Sequence, residues 1–153
     1  MAINQPTSAR NAPTLAWTLG FAALIPFLIG SYVALGWNSN IAIRTLDWLV
    51  VYAAVIASFI GGVQWGLQAA GQHARAIDMG AAVCPALIVW IGVMLGQPWS
   101  FALILVALVF TWLTDENGHR QGWMPIYYLT LRRILTPIVV VCLAIVGGAA
   151  LFG

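Results

Sequence analysis

The sequence predicts an all-α integral membrane protein, a bundle of five transmembrane helices with the N-terminus inside and the C-terminus outside. Hydrophobic residues make up 62% of the 153 positions and charged residues only 7%, whereas soluble domains carry roughly 25% charged residues. The mean hydropathy is +0.94, and a soluble fold of this size cannot hide so much apolar surface. The spans must be helices, because the alternating segments of a transmembrane barrel are missing.

Uncharged stretches predict the five spans at about 15–35, 48–70, 79–95, 98–114 and 134–152. Each stretch is close to the roughly 20 apolar residues that cross a bilayer. The third and fourth spans share one uncharged run, which Gly96 and Pro98 divide, because glycine and proline are typical of turns. Residues 1–13 are expected to form a cytoplasmic tail, and residues 14–153 a single membrane domain.

The positions of the arginines predict the orientation of the bundle. One side, which holds the tail and two of the loops, carries Arg10, Arg75, Arg120, Arg132 and Arg133. The other side carries only Arg44. Because positively charged residues stay on the cytoplasmic side of a membrane, we expect a multi-pass membrane protein with a cytoplasmic N-terminus.

The second predicted span has a stripe of small residues that recurs at nearly every fourth position. Residues four apart lie on one face of a helix, and small residues let another backbone approach closely in a membrane. The predicted helix-packing positions are Ser58, Gly61, Gly62 and Gly66. We therefore expect this span to be the central helix of the bundle.

Three glutamines form a second stripe on the same span, roughly opposite to the glycines. They are Gln64, Gln68 and Gln72. An unpaired amide in hydrocarbon is costly, so Gln64 and Gln68 are expected to face protein or water rather than lipid. The alternative is that Gln68 and Gln72 merely lie at the cytoplasmic interface.

Polar and aromatic side chains gather in the cytoplasmic half of the predicted bundle. Prolines at Pro26, Pro85 and Pro137 each remove a backbone donor and are expected to kink their helices, which opens space between them. The sequence therefore predicts a ligand pocket in this half, with Gln64, Trp65, Gln68, Trp112, Tyr128 and Arg132 as its candidate residues. The alternative is an aromatic belt at the interface together with ordinary packing.

Two arginines at the start of the last span are adjacent and therefore lie about 100° apart on a helix. We expect one of Arg132 and Arg133 to extend to the lipid headgroups and the other to point back over the bundle, near Gln68 or Asp78. The alternative is that both extend to the headgroups.

Groups typical of catalysis or metal binding are missing from the predicted spans. No ionisable residue is expected at mid-depth, which argues against proton relays and ion-coupled pumps. Asp115, Glu116 and His119 are close in sequence, but we expect them in a solvated loop, because geometry rather than proximity defines a metal site. We therefore predict no catalytic residue, no metal and no cofactor.

Two stretches carry a family resemblance: Ser58 to Leu67, which contains Gly-Gly-Val-Gln-Trp-Gly, and Pro125 to Thr136, which contains Tyr-Tyr-Leu-Thr-Leu-Arg-Arg. They resemble the bacterial inner-membrane proteins grouped as domain of unknown function 3429, which have eukaryotic, mitochondrial relatives. The resemblance covers nearly the whole chain and implies a multi-pass protein of the bacterial inner membrane. It implies no activity, substrate or cofactor.

These observations favour a non-enzymatic membrane protein that serves in packing, assembly or an accessory role. The expected partners are membrane lipids and either another membrane protein or a second copy of the chain. Nucleic acid is not expected, because the net charge of +2 is small and scattered. The alternative function is the binding or transport of a small amphipathic ligand, of the lipid, quinone or tetrapyrrole class, in the predicted pocket.

Overall fold

A computed structural model describes residues 7–36, 39–71 and 75–152. It contains six α-helices in the order α1 (Thr7–Ala22), α2 (Ile25–Gly36), α3 (Ser39–Ala70), α4 (Ala76–Leu95), α5 (Trp99–Arg120) and α6 (Ile126–Phe152), with no strand in these ranges. Gln72 and residues 1–6 of the predicted tail lie outside the described residues.

Five helical stretches among the described residues are long and apolar enough to cross a membrane, which confirms the predicted all-α fold with five spans. They are Thr14–Leu35, Ile43–Ala70, Ala76–Leu95, Trp99–Arg120 and Ile126–Ala149. Large apolar side chains cover the outside of the bundle; Trp48 on α3 is 80% exposed and Trp90 on α4 is 63% exposed. Apolar surface of this extent matches a lipid environment rather than water.

The first of these stretches is broken into α1 and α2 around Ala23 and Leu24. Pro26 lies at the second position of α2, and proline has no N–H with which to continue the helical ladder of α1. The hydroxyl of Tyr52 on α3 donates to the carbonyl oxygen of Ala23 at 3.2 Å, which satisfies an acceptor at the break. Pro85 and Pro137, in contrast, lie inside α4 and α6, which continue past them.

Helices α5 and α6 are longer than the predicted spans, which end at charged residues. α5 continues six residues past Thr114, and α6 begins at Ile126 rather than near residue 134. The turn between them is compact, because Gly118 packs against the ring of Trp123 and His119 Nδ1 lies 3.1 Å from the carbonyl oxygen of Met124. The expectation of a solvated loop at residues 115–119 is therefore wrong.

Helix α3 is the central element, as predicted. It has 32 residues, which corresponds to about 48 Å at 1.5 Å per residue, and it packs against α2, α4, α5 and α6. The apolar core around it contains Phe27, Ala53, Ala57, Ile104, Leu108, Leu143 and Val146. The small side chains of Ala53 and Ala57 let the neighbouring helices approach the axis of α3.

Candidate functional site

A buried set of polar side chains joins α3, α5 and α6, and we call it the polar cluster: Gln64, Thr111, Thr114, Asp115 and Arg132. Gln64 is fully buried. Its Nε2 donates toward Asp115 Oδ1 and Thr114 Oγ1, each at 2.7 Å, and lies 3.0 Å from the carbonyl oxygen of Thr111. Three acceptors on α5 thus fix the amide with its nitrogen toward α5.

The second half of the polar cluster is an ion pair between α5 and α6. Arg132 Nε donates to Asp115 Oδ2 at 2.8 Å, and Arg132 Nη2 donates to Thr111 Oγ1 at the same distance. Asp115 is fully buried and the side chain of Arg132 is only 8% exposed. Both carboxylate oxygens of Asp115 therefore accept charge-assisted or amide hydrogen bonds, which is the condition for burying a charge without a large penalty.

The polar cluster corrects the predicted limits of the fourth and fifth spans, 98–114 and 134–152, because both of its charged residues lie just beyond them. Asp115 and Arg132 both lie within helical stretches long enough to cross the membrane. Thr111, Thr114 and Asp115 are not among the predicted site residues. Their spacing of three and four residues is nevertheless a signal in the sequence, because it places them on one face of α5. The predicted span ends before the first charged residue and therefore excludes Asp115.

The adjacent arginines separate, as predicted. Arg132 points into the bundle, although its partner is Asp115 rather than Gln68 or Asp78. Arg133 is exposed and binds both carboxylate oxygens of Glu116, with Nε at 2.6 Å and Nη2 at 2.8 Å.

A second glutamine lies one helical turn from the polar cluster. Gln68 is buried and its Nε2 donates to the backbone oxygen of Asp78, at 3.3 Å. Its Oε1 and that of Gln64 are both buried without a hydrogen-bond partner in the described part of the chain, as is Trp112 Nε1. Two acceptors four residues apart on α3 are thus left without donors.

The remaining candidate pocket residues do not join the polar cluster through hydrogen bonds in the described ranges. Trp65 is 44% exposed on α3, and Tyr128 is half-buried on α6. An apolar groove between α2 and α3, lined by residues between Ile25 and Tyr52, contains none of the six candidates. The structure therefore brings Gln64 and Arg132 together through Asp115 and leaves the ligand-binding role a prediction.

The predicted packing glycines of α3 divide into two sets. A Cβ at Gly61 would overlap the backbone oxygen of Ala82, so α3 and α4 make a close backbone contact there. A Cβ at Gly62 or Gly66 would meet no described atom within 4 Å, and Ser58 on the same face is exposed. Gly61 therefore packs inside the bundle, while the other three positions face outward.

The hydrogen bonds of the polar cluster link α3, α5 and α6 to one another. Every polar side chain in it donates to or accepts from another helix or its own turn. Among the described residues, no three His, Cys, Asp or Glu side chains are grouped closely enough to hold a metal ion. The cluster links three helices through five side chains and one backbone carbonyl.

Comparison with known proteins gives the family. The family described as Protein of unknown function (DUF3429) matches residues 12–147. The chain belongs to this family. The polar cluster and both stretches that carry the resemblance fall inside the matched region, so the DUF3429 assignment covers the whole site.

The DUF3429 chain is similar to Transmembrane protein 69 of Xenopus tropicalis, with 28% identity over 143 residues. The match covers 91% of this chain and 55% of the relative, so the chain spans about half the length of that protein. No solved structure matches the chain significantly. The findings together identify a multi-pass helical membrane protein of a family without an assigned activity.

Proposed function

We propose that this protein is a non-enzymatic assembly or accessory protein of the bacterial inner membrane, and that it associates through the outward face of α3. The observation that supports this proposal is the open row of Ser58, Gly62 and Gly66 on the central helix. The polar cluster supports it indirectly, because each of its side chains is hydrogen-bonded within the bundle and only Gln64 Oε1 is left without a partner among the described residues.

The outward face of α3 combines small and large residues in a way that suits a second helix. Val55 and Phe59 are 61% and 66% exposed and flank the row of small residues. Without a hydrophobic driving force in lipid, helix association depends on close van der Waals packing, which small residues allow. The other sides of α3 are occupied by α2, α4, α5 and α6.

The test is a bulky substitution on this face with a matched control. The full-length protein, extracted in a mild detergent, is expected to run as an assembly larger than one chain, and Gly62→Leu is expected to run as one chain. Gly80→Leu on α4 is the control, because a Cβ there also meets nothing within 4 Å. A wild-type protein that is monomeric, or a Gly62→Leu protein that assembles normally, would contradict the proposal.

A second candidate is the binding or transport of a small amphipathic ligand near Gln68. The observation that favours it is the pair of buried, unpartnered oxygens on Gln64 and Gln68, because a ligand with donor groups would satisfy both. Mass spectrometry of the purified protein is expected to detect a stoichiometric small molecule that Gln68→Leu loses. A protein that carries no such molecule would remove this candidate.

The proposed orientation has the N-terminus in the cytoplasm and the C-terminus outside. It rests on the positive-inside rule, with Arg44 as the exception among six arginines. A reporter that is active only outside the cytoplasm, fused after Gly153, is expected to be active. A fusion at the same position whose reporter is active only in the cytoplasm would contradict this orientation.

A further inference from the structure

An apolar groove of about 570 Å³ lies between α2 and α3, at the end of the bundle away from the polar cluster. Its walls are formed by residues between Ile25 and Val33 on α2 and between Ile41 and Tyr52 on α3. The volume is within the range of about 300–1,000 Å³ that is typical of sites for small ligands. Ile29 and Trp48, which border it, are 59% and 80% exposed, so the groove opens toward the lipid.

Local sequence explains why the walls of the groove are apolar. Gly30 lets Leu49 approach so closely that a Cβ would lie 2.6 Å from Leu49 Cδ1, and this contact forms the floor. The Thr45 hydroxyl donates to the carbonyl oxygen of Ile41 at 2.8 Å, and that of Tyr52 donates to Ala23. The two hydroxyl groups that line the groove are thus already engaged with backbone.

One charged residue, Arg44, lies at the mouth of the groove. Within the described ranges, no carboxylate forms an ion pair with it, whereas Arg75, Arg132 and Arg133 each have one. Asp47, one turn further along α3, instead accepts from Gln97 Nε2 at 3.3 Å, in the turn between α4 and α5. The guanidinium is therefore available to an anion from outside the chain.

Arg44 lies near one end of a helical stretch that is long and apolar enough to cross a membrane. It is the second residue of the candidate span Ile43–Ala70, and the ends of a span lie near the lipid headgroups. From Arg44 the groove continues along α3 as far as Tyr52, which is about 12 Å at 1.5 Å per residue. The site is thus charged at one end and apolar along the rest of its length. This order matches a phospholipid, which has a charged headgroup followed by apolar acyl chains.

We propose that this groove is a binding site for an anionic phospholipid. The phosphate accepts hydrogen bonds from the Arg44 guanidinium, whose planar donors suit a phosphate. One acyl chain lies along the groove between α2 and α3, and Trp48 packs beside the glycerol region, where amphipathic aromatic rings are favoured. The lipid thereby covers a part of the bundle that α2 and α3 leave open.

The experiment is native mass spectrometry of the full-length protein, titrated with phosphatidylglycerol and with phosphatidylcholine of identical acyl chains. The wild type is expected to retain phosphatidylglycerol preferentially. Arg44→Gln is expected to weaken that binding about fivefold, the effect of one basic residue near a membrane surface, while Arg44→Lys keeps most of it. Arg120→Gln is the matched control, because Arg120 also forms no ion pair among the described residues.

A second variant tests the groove itself. Val33 lines it, and Val33→Phe is expected to fill it and to weaken the binding of both lipids, with the protein still eluting as a folded species. Equal affinity for the two lipids would overturn the proposal. So would equal losses in Arg44→Gln and Arg120→Gln, or a groove covered by a second copy of the chain. None of these results depends on Gly62, so failure here leaves the proposed assembly face untouched.

Discussion

Two neighbouring ion pairs join the same two helices, and they differ in how deeply their side chains are buried. Asp115 with Arg132 and Glu116 with Arg133 are each separated by 17 residues. In the first pair the arginine side chain is 8% exposed and the carboxylate is fully buried, while in the second the values are 48% and 25%. A rotation of about 100° per residue on each helix is enough to produce the difference.

The face of the helix on which a charged side chain lies decides whether it is buried or exposed, even for residues that are adjacent in the sequence. The buried pair is surrounded by Gln64 and Thr111, so losing one partner leaves an uncompensated charge inside the bundle. The exposed pair has solvent or headgroups available to either partner, and its energetic contribution is correspondingly small.

The largest effect is expected from removing the buried cation. Arg132→Ala should lower the free energy of unfolding by roughly 3–5 kcal/mol, because Asp115 then remains charged or must become neutral without a partner. The measurement is unfolding in mixed micelles by titration with sodium dodecyl sulfate. A loss no greater than that of Arg133→Ala would remove the distinction between the two pairs.

Gly61 and Gly62, which are adjacent on α3, also differ in burial, and no charge is involved in this difference. Gly61→Leu should destabilise the bundle by about 1–3 kcal/mol or more, because its side chain must displace the backbone of α4 at Ala82. Gly62→Leu should leave the stability of the single chain unchanged, since a Cβ there meets nothing within 4 Å. The same unfolding titration checks both, and equal effects would show that the packing of α3 and α4 is looser than described.

A smaller effect is expected from the amide in the polar cluster. Gln64→Leu should cost about 1–3 kcal/mol, because Asp115 loses a donor in a buried site. Gln68→Leu should cost less, since its single hydrogen bond is long, at 3.3 Å. Thermal unfolding of both variants in one detergent provides the measurement, and the reverse order would contradict the assignment of Gln64 to the cluster.

The smallest effect is expected from the exposed pair, and it should depend on salt. Arg133→Ala should produce only a slight loss of stability that disappears as ionic strength rises, because exposed charges are screened. The loss in Arg132→Ala should persist at high salt, since buried charges are screened much less. Unfolding titrations at two salt concentrations compare the variants, and a salt-sensitive loss in Arg132→Ala would indicate that the buried pair is hydrated.

The sequence was sufficient for the fold class and for the central place of α3, because hydrophobicity and the row of small residues are local properties. It also predicted that the two arginines diverge, which follows from helical geometry alone. The buried position of Asp115 does not follow from the sequence, because a charged residue normally marks the end of an apolar span. Burial of a charge is strongly unfavourable without a partner, and the partner of Asp115 is Arg132, which lies on a different helix.

The small residues of α3 show a further limit of prediction from sequence. Periodicity places Ser58, Gly62 and Gly66 on one face, but it does not say whether that face meets the same chain or another molecule. Only the arrangement of the neighbouring helices shows that Gly61 meets α4 while Gly62 remains open.

The central claim is that Asp115 and Arg132 act as one buried unit that fastens α5 to α6. The most direct test compares Asp115→Leu, Arg132→Met and the double variant by unfolding in mixed micelles. Each single variant is expected to be much less stable than wild type, and the double variant is expected to be more stable than either single one, because no charge is left unpaired. Losses that simply add in the double variant would contradict this claim.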